Sequence, residues 1–299
     1  MTYIFIAERC GDLPTRAVCR VMKVSSSAFY AWQKCPVSNK TITDAVLTNR
    51  IFDINRMARR AYGSDRVRDE LRLGCQVRVG KTRVERLMRQ ARIVGLHKPA
   101  FRPGCTRRDG TKPSDDLVKR QFTANGPDRL WVMDMTEHPT RTGKVYLAVV
   151  LDAWSRRIVG WSIADHMRAD VVVDAITMAT WRRRPPAGQT VAHSDHGSQY
   201  TSWAFGQRLR AAGILGSMGS IGDAFDNAMA ESFFSTIQRE LFNTRTIWPS
   251  REELASAIFE WIEAWYNPVR RHTSLGTDGS ISPIEHENLH FAEQTHKAA

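Results

Sequence analysis

The sequence predicts a mixed α/β body preceded by an all-α, strongly basic N-terminal half. Three observations carry this expectation: a division of charge along the chain, a stretch rich in Pro and Gly where the texture changes, and an alternation of strand-like and helix-like segments after it. The chain has 299 residues, more than one small core usually takes, so two or more domains are expected. Hydrophobic residues at 42% and charged residues at 25% are normal for a folded globular protein and exclude a disordered one. The formal net charge is +12, which calls for an acidic partner, either nucleic acid or an anionic membrane surface. Residues 1–125 hold 26 Lys and Arg against 11 Asp and Glu, whereas the remainder has a net charge of −3. All the excess positive charge is N-terminal, as expected of a phosphate-gripping half joined to a body with another task.

The first eight residues are apolar but short, lack a basic flank and end at Glu8. They read as a first β-strand or a packed N-terminal segment rather than a signal peptide. Residues 14–34 read as helix, turn and helix. Arg16 to Met22 has helical apolar spacing, Val24-Ser25-Ser26-Ser27 supplies a break and a cap, and Ala28 to Trp32 resumes. A second helical unit is expected over 41–96. Val46, Leu47, Ile51 and Ile54 lie on one helix face. The turn Tyr62-Gly63-Ser64 and a helix through Val67 and Leu71 follow, then Gly74 as a stop and a helix over 80–94. That last helix carries Val84, Leu87 and Met88 together with Lys81, Arg83, Arg86, Arg89 and Arg92. Helix-turn-helix units lay such a basic helix in the major groove, so Lys81, Arg83, Arg86 and Arg89 are candidate DNA contacts. A merely solvated basic face is the alternative. Residues 98–125, with Pro99, Pro103, Gly104, Gly110 and Pro113 around Arg107-Arg108, read as an extended basic linker.

Beyond the linker, strands are expected at Leu130–Thr136, Lys144–Leu151 and Arg157–Ile163, close enough in sequence to form an antiparallel meander. A helix over 169–182, a strand over Thr190–Ser194, a helix over 202–212, a strand over Ile214–Met218 and a helix over about 226–242 complete the alternation. A helix over 251–266 places Leu254, Ile258, Trp261, Ile262 and Trp265 on one side, and Gln294–Ala299 reads as frayed. Three strands followed by alternating helix and strand is the pattern of the ribonuclease-H-like fold, a mixed five-stranded sheet with helices. The expected domains are 1–40 and 41–97 as helix-turn-helix-like segments, 98–125 as linker, 126–286 as the ribonuclease-H-like core with its C-terminal helices, and 287–299 as a tail.

Several classes are excluded. No run of 18 apolar residues exists, so no membrane span is expected. Five cysteines, none closer than nine positions to another, suggest neither a disulfide framework nor a CxxC knuckle, and a reducing cytoplasm fits. All nine histidines lie at or after His97, so the N-terminal part has no His-His-Cys-Cys zinc site.

Three carboxylates stand at particular places. Asp134 interrupts an apolar strand between Met133 and Met135. Asp195 follows a strand within His193-Ser194-Asp195-His196-Gly197-Ser198-Gln199-Tyr200, and Glu231 lies in the helix Asp226-Asn227-Ala228-Met229-Ala230-Glu231-Ser232-Phe233-Phe234. Carboxylates at strand ends and on an adjoining helix converge readily on hard divalent cations, which prefer oxygen ligands. Two such ions ~3.5–4 Å apart activate the attacking oxygen and stabilise the leaving oxygen of a phosphoryl displacement. Singly, each acid reads equally as a loop cap or a solvated helix position. The spacing, 60 residues between Asp134 and Asp195 and 35 between Asp195 and Glu231, is the stronger sign. His138, His193 and His196 lie near these acids; His193 reads as a packing or hydrogen-bonding neighbour more than as a ligand.

With these motifs the sequence resembles the retroviral-integrase superfamily and, more narrowly, the OrfB transposases of the IS-three group of bacterial insertion sequences. Val24-Ser25 to Trp32, Tyr62-Gly63, Arg83-Val84 to Leu87-Met88, Leu151-Asp152 to Ser155-Arg156, and Tyr266-Asn267 to Arg271-His272, Leu275-Gly276 and Pro283 extend the resemblance over nearly the whole chain. It implies a transposase whose Asp134, Asp195 and Glu231 bind two Mg²⁺ ions, with Mn²⁺ able to substitute. Element ends would be nicked and the freed 3′-hydroxyl would attack another phosphodiester, with no covalent protein–DNA intermediate. The implied partners are double-stranded DNA of element ends and target, an upstream-frame protein joined by ribosomal frameshifting, and further copies of the chain in a synaptic complex. A nucleoid-associated location and no membrane partner are implied with them.

The chain departs from the family at one place: Gln238 stands where Lys or Arg is common, seven residues after the glutamate. Residues 227, 231 and 238 share a helix face, so Asn227 and Gln238 are candidate DNA contacts, and Arg239, about 80° further round, is a candidate substitute for the missing charge. Two other readings compete. A plain DNA-binding regulator would need no metal, and a ribonuclease H would cut RNA–DNA hybrids. The 35-residue gap, the glutamate helix and the large basic half favour transposition over the second, and the first predicts that Asp134→Asn has no metal-dependent cutting to abolish.

Overall fold

A computed structural model describes residues 2–34, 38–96, 124–194, 197, 199–218, 228–276 and 279–298. It divides into two compact units, Met1–Gly95 and Leu96–Ala299. Residues 98–123 of the expected linker lie outside the described residues, as do Asp195, His196 and Asn227.

In the first unit, α1 (Thr2–Arg9), α2 (Thr15–Val21) and α3 (Ser26–Lys34) share a small core of Ile6, Val18, Cys19 and Phe29. The opening segment is thus packed, but as a helix and not a strand. Tyr3, Ile6 and Cys10 recur at three and four residues, so they fall on one helical face and meet that core together. The Tyr3 ring lies 6.0 Å from Phe29 and 5.8 Å from Trp32. The second cluster comprises α4 (Asn39–Met57), α5 (Ser64–Leu73) and α6 (Lys81–Gln90). Ser38 caps α4 by accepting from the Thr41 amide at 3.1 Å. Leu47, Ile51 and Ile54 of α4, Val67 and Leu71 of α5, and Val84, Leu87 and Met88 of α6 are all buried.

The second unit holds a five-stranded sheet in the order β3-β2-β1-β4-β5, formed by β1 (Leu130–Thr140), β2 (Gly143–Asp152), β3 (Ile158–Ala164), β4 (Val191–Ser194) and β5 (Leu215–Met218). The first three are an antiparallel meander, and β4 and β5 run parallel to β1. The sheet is mixed because short turns join the first three strands, whereas α7 (Ala169–Arg183) and α8 (Trp203–Ala211) carry the chain across between β3, β4 and β5. Side chains alternate along β1. Trp131 and Met133 point into a core with Val172, Ile176, Phe205 and Leu209 of α7 and α8, whereas Leu130 and Val132 pack against Ala230 of α9 (Ala228–Glu240). Gly160 permits the close approach of α7 to β3. A Cβ there would stand 2.2 Å from the Ala175 carbonyl oxygen.

A 3-10 turn (Phe242–Thr244) and α10 (Arg251–Glu260) follow, and α10 runs on into a π turn, Trp261–Tyr266. The single regular helix expected over 251–266 is therefore altered at its end. Trp261, Ile262, Trp265 and Tyr266 of this turn are all buried. The largest departure is α11 (Pro283–Ala298), which covers the stretch expected to be a tail. It is held by charge instead of an apolar stripe. Glu287, buried, accepts from Arg157 Nη1 at 2.6 Å and Arg183 Nη1 at 2.9 Å, and His286 and His290 pack against Trp154 at 4.1 and 4.7 Å.

Asp152, at the end of β2, is fully buried beside this ionic group. Burial pushes its carboxyl up to about 7, against the hydrogen bond from Ser155 Oγ at 2.9 Å that favours the charged form. With a folded value above the unfolded one, its contribution to stability is complete below about pH 4 and is lost as pH rises through 7. Wild type relative to Asp152→Asn should therefore lose roughly 2 kcal/mol between pH 5 and pH 8. Urea denaturation of both proteins at the two pH values measures this; a constant difference would refute it.

Candidate active site

Asp134 lies just past the point where β1 and β4 end their pairing. Met133 and Ser194 are register partners in parallel strands, so the chain leaves β4 beside Asp134. Asp195 is the next residue in sequence and lies outside the described residues. Asp134 is half-buried, and its Oδ1 accepts from the Met135 amide at 2.7 Å. Because residues two apart share a strand face, Asp134 stands on the same face of β1 as Leu130 and Val132. Ala230 packs on that pair, so α9 crosses the very face that bears Asp134, and Glu231 is the next residue along the helix. Glu231 is exposed and makes no ion pair among the described residues.

The donor chemistry fits a hard divalent cation, since both described carboxylates, Asp134 and Glu231, offer oxygen ligands. The two described histidines nearby, His193 and His138, are otherwise engaged. His193 is buried, with Nδ1 3.1 Å from Ser217 Oγ. His138 stacks on Phe242 at 4.5 Å, and burial holds its pKa below the ordinary imidazole value.

On α9, Gln238 is half-buried and donates to Asn243 Oδ1 at 2.7 Å, while Arg239 Nε donates to the Ser235 carbonyl at 2.8 Å. Gln238 is thus tied to the turn that follows the helix, and Arg239 is folded back on its own backbone.

In the first unit, most cations of α6 already have partners. Asp44 of α4 binds Arg83 Nε at 2.8 Å and Arg86 Nη2 at 2.7 Å, and these two guanidiniums, Arg86 foremost, hold its carboxyl below the usual range. Lys81 pairs with Asp65 at 3.0 Å. Arg89 alone of the four candidates has no ion pair among the described residues, and it is exposed. Sequence reasoning missed Asp44, because its partners lie 39 and 42 positions away and no local pattern links them.

The integrase core domain family matches residues 124–224, and a second integrase core domain family matches residues 212–278; an HTH-like domain matches residues 42–101. The mixed sheet, with an acid on its central strand and another on the helix that crosses it, belongs to a DDE-type polynucleotidyl transferase. The chain is a member of the IS3 family of insertion-sequence transposases. It is 34% identical over 297 residues to transposase InsF for insertion sequence IS3A of Escherichia coli K12, covering 98% of this chain and 100% of that one. A putative transposase for insertion sequence element IS986/IS6110 of Mycobacterium tuberculosis is 33% identical, covering 93% of this chain and 100% of the relative. Among solved structures, the HTLV-2 integrase catalytic core domain in complex with magnesium is similar at a TM-score of 0.40 and 16% identity, over 55% of this chain and 98% of that chain. No described helix is long and apolar enough to cross a membrane.

Proposed function

We propose that this transposase cuts at insertion-sequence ends and joins the freed 3′-hydroxyl to target DNA, using Asp134, Asp195 and Glu231 as the ligands of two Mg²⁺ ions, with Mn²⁺ as a substitute. The observation that supports the reading is the packing of Ala230 of α9 on the face of β1 that bears Asp134, with Glu231 the next residue along the helix. When bound, the ions supply Lewis-acid stabilisation of the attacking and leaving oxygens. The protein contributes carboxylates fixed on rigid elements. Asp134 is oriented by the Met135 amide, and Glu231 is carried on a helix packed against the sheet. Nicking is hydrolysis by water, and in joining the freed 3′-hydroxyl forms one phosphate ester as the target strand's own 3′ ester bond breaks, so neither step needs a nucleotide cofactor.

The basic first unit grips the duplex. Of the candidate contacts there, Arg89 is the free one, and Arg83 and Arg86 serve first to fasten α6 to α4. Arg89→Ala should weaken binding to all duplex sequences alike and reduce the slope of log K against log salt by about 1. A fluorescence-anisotropy titration at several salt concentrations checks this, and an unchanged slope would remove Arg89 from the interface. In this reading Asn227 meets the DNA beside Glu231. Gln238 adjoins it without the charge common in the family and Arg239 substitutes only in part, which implies weaker holding of the element end. End recognition would come from an upstream-frame protein fused by frameshifting, and the joined complex would contain several copies of the chain.

The experiment is a joining assay with labelled element ends and a plasmid target. Labelled product covalently joined to plasmid is expected for wild type and absent for Glu231→Gln. Cutting of an RNA–DNA hybrid in preference to element ends would favour the ribonuclease reading instead.

A further inference from the structure

Glu240 and Arg270 are both buried, and nothing in the proposed chemistry uses either. Arg270 Nε donates to Glu240 Oε1 and Oε2 at 3.1 and 2.9 Å, and its Nη2 donates to Oε1 at 2.8 Å. The same guanidinium lies 5.7 Å from the centre of the Tyr266 ring and within 3.2 Å of His272 Nε2. Tyr266, the last residue of the π turn, meets Phe233 edge to face at 5.2 Å. Phe233 is two residues past Glu231, and Glu240 is seven residues past Phe233, so the two contacts fall on one helical face about two turns apart.

We infer that the Arg270–Glu240 pair and the Tyr266–Phe233 contact form a two-point mount that sets the rotation and axial height of α9, and so places Glu231 against Asp134. Glu240 and Arg270 are therefore positioning residues. This inference rests on the proposed role of Glu231. One contact would fix α9 along its axis and leave it free to turn; two on the same face remove both freedoms. Glu231 itself is exposed and gains no anchoring of its own among the described residues. A buried ion pair is a poor way to gain stability, because an apolar pair of similar volume commonly does as well. What the bidentate fork adds is direction.

The test compares the full chain with Glu240→Met/Arg270→Met and with Arg270→Lys, reading Mn²⁺ affinity by electron paramagnetic resonance and the melting temperature. The double variant replaces the pair by side chains of similar volume, and the lysine keeps the charge but loses the fork. Both should melt within a few degrees of wild type while Mn²⁺ affinity falls about 10-fold or more, the usual cost of losing a group that orients a ligand. Mn²⁺ affinity within about two-fold of wild type overturns the mount. So does loss of the fold in both variants, which would make the pair simply structural. Asp134→Asn is measured in parallel. If it binds Mn²⁺ as wild type does, the metal-site reading itself fails, a result distinct from failure of the mount alone.

Discussion

Asp134→Asn should lower end cleavage and strand transfer by about 10³-fold or more while leaving duplex affinity within about two-fold. The substitution keeps the size of the side chain and the acceptor that takes the Met135 amide, so β1 has no reason to rearrange. What it removes is one negative charge from a proposed oxygen-ligand set. Loss of a single group that stabilises transition-state charge typically costs 10²–10³-fold, and a metal ligand shared by cutting and joining should cost both steps together. Binding survives because the phosphate grip belongs to a different set of side chains in the basic first unit. Gel-shift and cleavage assays on one preparation separate the two effects. Equal loss of binding and cutting would mean that Asp134 acts on DNA contact or folding.

The second large effect concerns α11. Glu287→Ala should cost about 3–5 kcal/mol of stability, because it strips a buried carboxylate from two guanidiniums and leaves Arg183 nearly buried without that partner. The side chains of Glu287 and Arg183 are only 2% and 11% exposed. Burial alone would raise the Glu287 carboxyl, but Arg183 and Arg157 outweigh it and hold it below the usual glutamate value. The loss is large against the ~5–15 kcal/mol of an ordinary folded domain. It should also be felt near the site. Arg183 holds Asp128, whose Oδ1 accepts from Trp131 Nε1 at 3.1 Å, three residues before Asp134. Urea unfolding followed by tryptophan fluorescence gives the value, and a change under 1 kcal/mol would mean that α11 is not anchored through this residue.

Much of the second unit could be read from its residues, for a definite physical reason. The meander strands are short apolar runs rich in Val, Ile and Trp, so β1, β2 and β3 fall within a few residues of expectation. The helices α7 and α8 have ordinary periodicity, and so does the segment of α9 that carries Glu231. What escaped is structure held by charge over long sequence distances. α11 presents no clean apolar stripe; its docking depends on Glu287 meeting Arg157, 130 positions earlier, and Arg183, 104 positions earlier. The Asp44 pairs with Arg83 and Arg86 were hidden in the same way, so cations that looked ready for phosphate proved to be committed within the unit. Helix α1 was missed for a different reason, because its apolar content was read without its three-and-four spacing. The π turn has no sequence signature in a run such as Trp261-Ile262-Glu263-Ala264-Trp265-Tyr266, where almost any helical period buries something apolar.

For the proposed site, spacing and motif in the sequence named Asp134, Asp195 and Glu231, and what the fold adds is that α9 packs on the face of β1 that bears Asp134. Strand parity puts Asp134 on the face that Ala230 covers, and Glu231 follows Ala230. The geometry also changes the reading of Gln238. Its bond to Asn243 makes it part of the C-terminal turn of α9 more than an open hand toward DNA.

The central claim is that three carboxylates make a metal-dependent strand-cleaving site. The most direct measurement is nicking of labelled element-end DNA by the purified protein, alone and fused to its upstream frame, with Mg²⁺ or with EDTA, for wild type and Asp195→Ala. The account predicts a nick at the element end with a free 3′-hydroxyl for wild type in Mg²⁺, and none with EDTA or with Asp195→Ala. Nicking that persists in EDTA, or that Asp195→Ala performs as well as wild type, would contradict it.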